Sequence, residues 1–166
     1  MKWAFFSLNS TISLTIRYNV IYTLTREHQG SRNLMGDQED STSRKPFGFE
    51  LILDLHKCDA STFNRKSLGG YFEKLCNAIE MEREDLHFWD YDGVSEEELP
   101  SEAHLLGTSA VQFIKTSNIV IHTLDLLEAV YINIFSCKEY NSELAEQITK
   151  EWFGAKECKT HFLERI

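Results

Sequence analysis

Between Ser109 and Ser136 three runs rich in β-branched and aromatic residues follow one another almost without interruption: Ser109–Lys115 (SAVQFIK), Ile119–Thr123 (IVIHT) and Ala129–Ser136 (AVYINIFS). The links between them are too short for the crossover that parallel neighbours need, so the runs pair as antiparallel hairpins. Residues that carry chemistry interrupt what otherwise reads as core. They are Ser109, Ser117, His122 and Cys137.

The rest of the chain supplies the layer that such a sheet needs. Phe49–Leu55 (FELILDL) reads as a strand, after which Asp59 or Ser61 is suited to cap a helix. Phe63, Leu68, Tyr71, Phe72, Leu75, Cys76 and Ile79 recur at helical spacing and predict an amphipathic helix over 61–81. Gly69 and Gly70 weaken its middle, and close packing on the sheet would account for them. A short strand over 86–91 leads into the acidic loop DGVSEEELPSE, whose Glu96, Glu97 and Glu98 read as a solvated turn. A second helix over 142–153 stops at Gly154, and a last strand follows through His161 to Leu163. This order predicts an α+β fold: a two-layer sandwich on a largely antiparallel sheet with helices on one face.

Residues 47–166 are expected to form that domain. Upstream, residues 26–46 are almost wholly polar with Gly30, Gly36 and Pro46 as breakers, a linker composition. Residues 3–24 are β-rich without a clean period and read either as an accessory strand pair or as outside the native product, with Met35 an alternative start. The short apolar run Trp3–Phe6 after Lys2 is broken by Asn9, Ser10 and Thr11 and lacks a cleavage site, which argues against export.

Composition narrows the partners. A net charge of -9 argues against nucleic acid and against an anionic membrane surface, and favours a small cationic molecule. No stretch approaches the ~20 apolar residues of a membrane span. Cys58, Cys76, Cys137 and Cys158 form neither a CxxC pair nor a zinc-binding cluster, so no metal is expected, and they read as reduced thiols of a cytoplasmic protein. For Cys58, Cys76 and Cys158 a core position is the simplest account.

If the first hairpin turns at Thr116–Ser117, paired positions sum to an odd number. Ser109 and His122 then share a face as diagonal neighbours, and a hydroxyl and an imidazole lie beside a serine in a tight turn. That arrangement suits activation of a backbone rearrangement. Taken singly, each residue has a plainer account: strand-end serines, a satisfied core histidine, a buried cysteine.

Taken together, Ser109, Ser117, His122 and Cys137 have the order and spacing of the functional residues of the prokaryotic S-adenosylmethionine decarboxylases, which this chain resembles over 47–166. Further matches are Cys58-Asp59 after the first strand, His87-Phe88, Gly93-Val94-Ser95, Ile121-His122-Thr123 and Phe135-Ser136-Cys137. The resemblance implies a proenzyme that cleaves itself between Thr116 and Ser117, turning Ser117 into a covalent pyruvoyl group whose ketone forms a Schiff base with the substrate amine. It implies that Ser109 and His122 assist the cleavage, that Cys137 is the proton donor in decarboxylation, and that the cleaved protomers form a homodimer. The product would feed polyamine (spermidine) synthesis.

The chain departs from the family's pattern in places. Thr116 and Asn118 flank the serine where the family has glutamate and then histidine or serine. Leu124-Asp125-Leu126 replaces a Trp-Pro-Glu whose glutamate holds the substrate ribose. Asp125 and Glu128 are the nearby carboxylates, and Asp54 on the first strand falls at an acidic position of the family. Three readings follow: decarboxylation of S-adenosylmethionine; the same chemistry on ornithine or arginine; and a catalytically silent regulatory partner, against which Ser117 and Cys137 speak. A likeness of Leu106-Gly107-Thr108-Ser109 to the cleavage motif of phosphatidylserine decarboxylases has the wrong residue order.

Overall fold

The structure, a computed structural model, describes residues 45–166. The expected accessory strands at 3–24, the linker up to 44 and the start at Met35 lie outside the described residues. Alternation along β1 (Gly48–His56) organises the core: Leu51, Leu53 and Leu55 are buried on one face, while Glu50, Ile52, Asp54 and His56 take the other. β1 lies between β5 (Ala129–Ser136) and β6 (Glu157–Arg165), and the sheet continues through β4 (Ser117–Leu124), β3 (Ser109–Ile114) and β2 (Arg83–Trp89). Every neighbouring pair is antiparallel. The sandwich, the antiparallel sheet and the single helical layer are as the sequence predicts.

Helices α1 (Arg65–Ala78) and α2 (Ser142–Phe153) supply the second layer. Leu68, Tyr71, Phe72, Leu75 and Cys76 of α1 are buried against the sheet and α2, each large apolar side chain contributing about 1.5–3 kcal/mol. The helix begins later than expected because two caps follow in succession. Asp59 caps only a 3-10 turn, Ala60–Thr62, and Asn64 then accepts from the Ser67 N–H to start α1. Gly70 clears the Trp152 indole of α2 rather than the sheet, since a Cβ there would come within 3.3 Å of that ring, and Gly69 faces open space.

Neither helix covers the opposite face of the sheet among the described residues. By strand register that face carries Asp54, Tyr131, His122 and Ser109 in one cross-strand row, beside Ile52, Val111, Val120, Phe113 and Phe135.

Candidate active site

The β3–β4 hairpin turns one residue earlier than the sequence suggested. Ile114 pairs with Ser117, leaving Lys115 and Thr116 as the turn. Ser109 therefore lies directly opposite His122 instead of diagonal to it, with Ser109 Oγ 2.8 Å from His122 Nδ1. When the hydroxyl donates in this bond, the ring carries its proton on Nε2.

The same register separates this pair from Ser117. Five residues along β4 span about 17 Å. Ser117 also shares strand parity with the buried Ile119 and Ile121, whereas His122 belongs to the open face. The expectation that Ser109 and His122 lie beside the serine in the turn is thus overturned for one chain. The residues form two groups at opposite ends and on opposite faces of one hairpin.

At the turn, the groups converge on Thr116. The Cys137 thiol donates to the Thr116 carbonyl oxygen at 3.2 Å, and the Cys137 backbone N–H reaches it at 3.5 Å. The Thr116 hydroxyl lies 3.0 Å from the hydroxyl of Ser136, the residue paired with Ser117 across β4 and β5. Ser136 is fully buried and accepts the Lys138 N–H at 3.0 Å. Met81 sulfur packs on both hydroxyls, at 3.6 and 3.8 Å. Gly48 lets β1 approach here, because a Cβ on it would sit 2.8 Å from the Ser136 carbonyl oxygen and 3.2 Å from Cys137 Cα.

Two hydrogen-bond donors aimed at the carbonyl before a serine form the arrangement that stabilises negative charge when that carbonyl is attacked. Cys137 is exposed, whereas burial pushes the Cys58 and Cys76 thiols up to about 11 and keeps them inert. Cys158 is part-buried.

The other end of the hairpin borders a cavity of about 440 Å³ lined by Gly107, Thr108, Asp90, Tyr91 and Asp125, among others. Arg65 grips Asp90 at 2.6 and 2.8 Å and Asp92 at 3.0 Å, and holds the Asp90 carboxyl below its ordinary range. Asp125 remains outside that network, and partial desolvation raises its carboxyl.

Glu128 does not line the cavity; it adopts a left-handed backbone (φ 48°), and its carbonyl accepts the Cys58 N–H. Asp54 lies between Tyr131 and Lys159, with Tyr131 separating it from His122, and forms no ion pair among the described residues. The sequence reading named Ser136 only as part of the Phe135-Ser136-Cys137 match, without a role, and missed Met81 and Gly48. The signal for Ser136 was the β4–β5 register, which pairs it with Ser117.

The sequence model of the family described as S-adenosylmethionine decarboxylase matches residues 49–166. The chain belongs to this family. Membership implies a decarboxylase, in a family that generally depends on a pyruvoyl group. Among solved structures it is similar to the adenosylmethionine decarboxylase from Aquifex aeolicus VF5. The TM-score is 0.59 at 18% identity, covering 74% of this chain and 92% of that one. At that identity the likeness establishes the shared fold, an α+β sandwich. No curated protein sequence matches the chain. No helix among the described residues is long and apolar enough to cross a membrane.

Proposed function

We propose that this member of the S-adenosylmethionine decarboxylase family is a self-cleaving, pyruvoyl-dependent enzyme whose cut falls between Thr116 and Ser117. The observation that carries the reading is the pair of Cys137 donors on the Thr116 carbonyl oxygen. Ser117 Oγ attacks that carbonyl carbon, the Thr116–Ser117 C–N bond breaks, and the serine oxygen now holds Thr116 as an ester while its nitrogen becomes a free amine. Loss of the Ser117 α-proton expels the Thr116 carboxylate and leaves a dehydroalanine, whose imine tautomer is hydrolysed by water to ammonia and a terminal ketone.

The turn fits this group, since the new chain end would lie beside Cys137 at one end of the central strands. The pyruvoyl ketone supplies an acceptor for the electron pair released with carbon dioxide. Cys137, exposed at the end of β5, returns a proton to the substrate carbon through Sγ.

The distance between Ser117 and the Ser109–His122 pair supports a homodimer. In such a dimer the turn end of one copy meets the Ser109–His122 end of its partner. Ser109 and His122 then assist cleavage in the partner, His122 moving the proton from the attacking hydroxyl.

S-adenosylmethionine is the first substrate expected, its decarboxylated product supplying aminopropyl groups for polyamines. A second reading, ornithine or arginine, is favoured by one observation. Leu126, where the family holds ribose with glutamate, is an exposed leucine, while the Asp125 carboxylate lines the cavity.

Carbon dioxide release from carboxyl-labelled S-adenosylmethionine, ornithine and arginine, measured in turn, tests the reaction and selects the substrate. Release from none of them would overturn the decarboxylase reading.

A further inference from the structure

The last residue of β5 and the residue after it hold the same residue of the turn. Cys137 engages the Thr116 carbonyl, and Ser136 engages the Thr116 side chain through the 3.0 Å hydroxyl contact. We propose that Ser136 is a positioning residue for self-cleavage, acting through this hydroxyl clamp to fix the scissile carbonyl against the Cys137 donors. The inference rests on the self-cleavage reading above.

The physical argument begins with stiffness. Threonine is β-branched and has few χ1 choices, so holding its Oγ1 also restrains rotation of its backbone, including the carbonyl. Ser136 is itself held: its oxygen accepts the Lys138 N–H, which fixes the position of that oxygen beside the Thr116 hydroxyl, and either hydroxyl can donate in the contact between them. The Lys138 ammonium is tied in turn to the Glu80 carbonyl at 2.8 Å, so the Ser136 side of the clamp is anchored to the segment after α1.

Ser136 is fully buried and Met81 sulfur lies against both hydroxyls, so the contact is shielded from water on its Ser136 side. Without the clamp, Thr116 is a part-exposed residue of a two-residue turn, free to rotate its carbonyl away from Cys137. Because attack requires near-aligned atoms, such rotation slows the acyl shift without removing any group that takes part in it.

The test follows the full chain after a pulse of cell-free synthesis, measuring the rate at which two fragments appear. Ser136→Ala and Thr116→Val should each slow cleavage about tenfold, the scale set by losing one hydrogen bond in a reacting geometry. The double variant should be no slower than the slower single one, because both remove the same contact. Ser136→Thr, which keeps the hydroxyl, should restore the rate to within about twofold. Hydroxylamine, which cleaves an accumulated ester, should not rescue Ser136→Ala, since the block precedes the ester.

Melting curves in a Ser117→Ala background report folding separately from cleavage; if Ser136→Ala does not fold, Thr116→Val carries the test. Wild-type rates in the single variants, or a double variant slowed by the product of the two, would overturn the clamp alone. An uncleaved wild-type chain would overturn the self-cleavage reading, and the clamp with it.

Discussion

The two ends of the β3–β4 hairpin are built in opposite ways. At the turn end the Thr116 and Ser136 hydroxyls and Met81 sulfur are packed together, Ser136 has no exposed surface, and Gly48 leaves no room for a side chain. At the other end Ser109 and His122 are only half-buried, Trp89 is 67% exposed, and a cavity opens beside Asp125. The tight end suits a single reaction on its own backbone, where geometry decides the rate. The open end has room for something that comes from outside: a substrate, or the turn of a second copy.

The difference is broken most sharply by mixing variants. Ser117→Ala lacks the attacking group at the tight end and His122→Ala lacks the base at the open end, so neither should cleave alone. If the ends cooperate between copies, co-expression restores the two groups in one of the two sites of each mixed dimer. Cleavage should then recover at about a quarter of all sites for random pairing of equal amounts. No recovery would place the two ends in separate roles.

Cys137→Ala sharpens the comparison within the tight end. Carbon dioxide release should fall about 100-fold, the usual contribution of a positioned acid, whereas cleavage should slow less because the Cys137 backbone N–H remains. Assaying fragment yield and turnover on the same preparation separates the two effects.

The glycines compare the ends as packing problems. A Cβ at Gly107 would lie 1.7 Å from the Thr123 carbonyl oxygen, so Gly107→Ala should reduce stability by about 3 kcal/mol. Gly48→Ala, with its 2.8 Å approach to Ser136, should reduce stability less, by about 1–2 kcal/mol, and also slow cleavage by displacing Cys137. Denaturant midpoints and cleavage rates check both.

The smallest effect concerns Asp125. Partial desolvation raises the folded-state pKa of this largely exposed carboxyl above the unfolded value, so ionisation removes a little stability as pH rises through the folded pKa. Asp125→Asn should therefore melt higher at pH 7, by no more than about 2 °C, with the difference closing near pH 4. A gain that is independent of pH would contradict a desolvated carboxylate.

Much of this architecture could be read along the chain. Period-two alternation in β1 and β5 and the apolar stripe of α1 place the sheet, the helical layer and the core, because burial imposes those periods on sequence. The turn was misplaced by one residue because Lys115 and Thr116 carry no glycine or proline signal, and strand pairing with β5 settles the register. The same blindness hid Ser136. A serine inside FSC looks like any strand-end residue until β5 is aligned with β4. Four residues at the family's spacing pointed to the right family, yet spacing along a strand does not say that five residues are too far for one active site within one chain.

The central claim is tested most directly by the intact mass of the purified full chain. The account predicts two fragments, one ending at Thr116 and one beginning at the former Ser117 with a ketone in place of its amine, and a single uncleaved mass for Ser117→Ala. A wild-type chain of one undivided mass would contradict it.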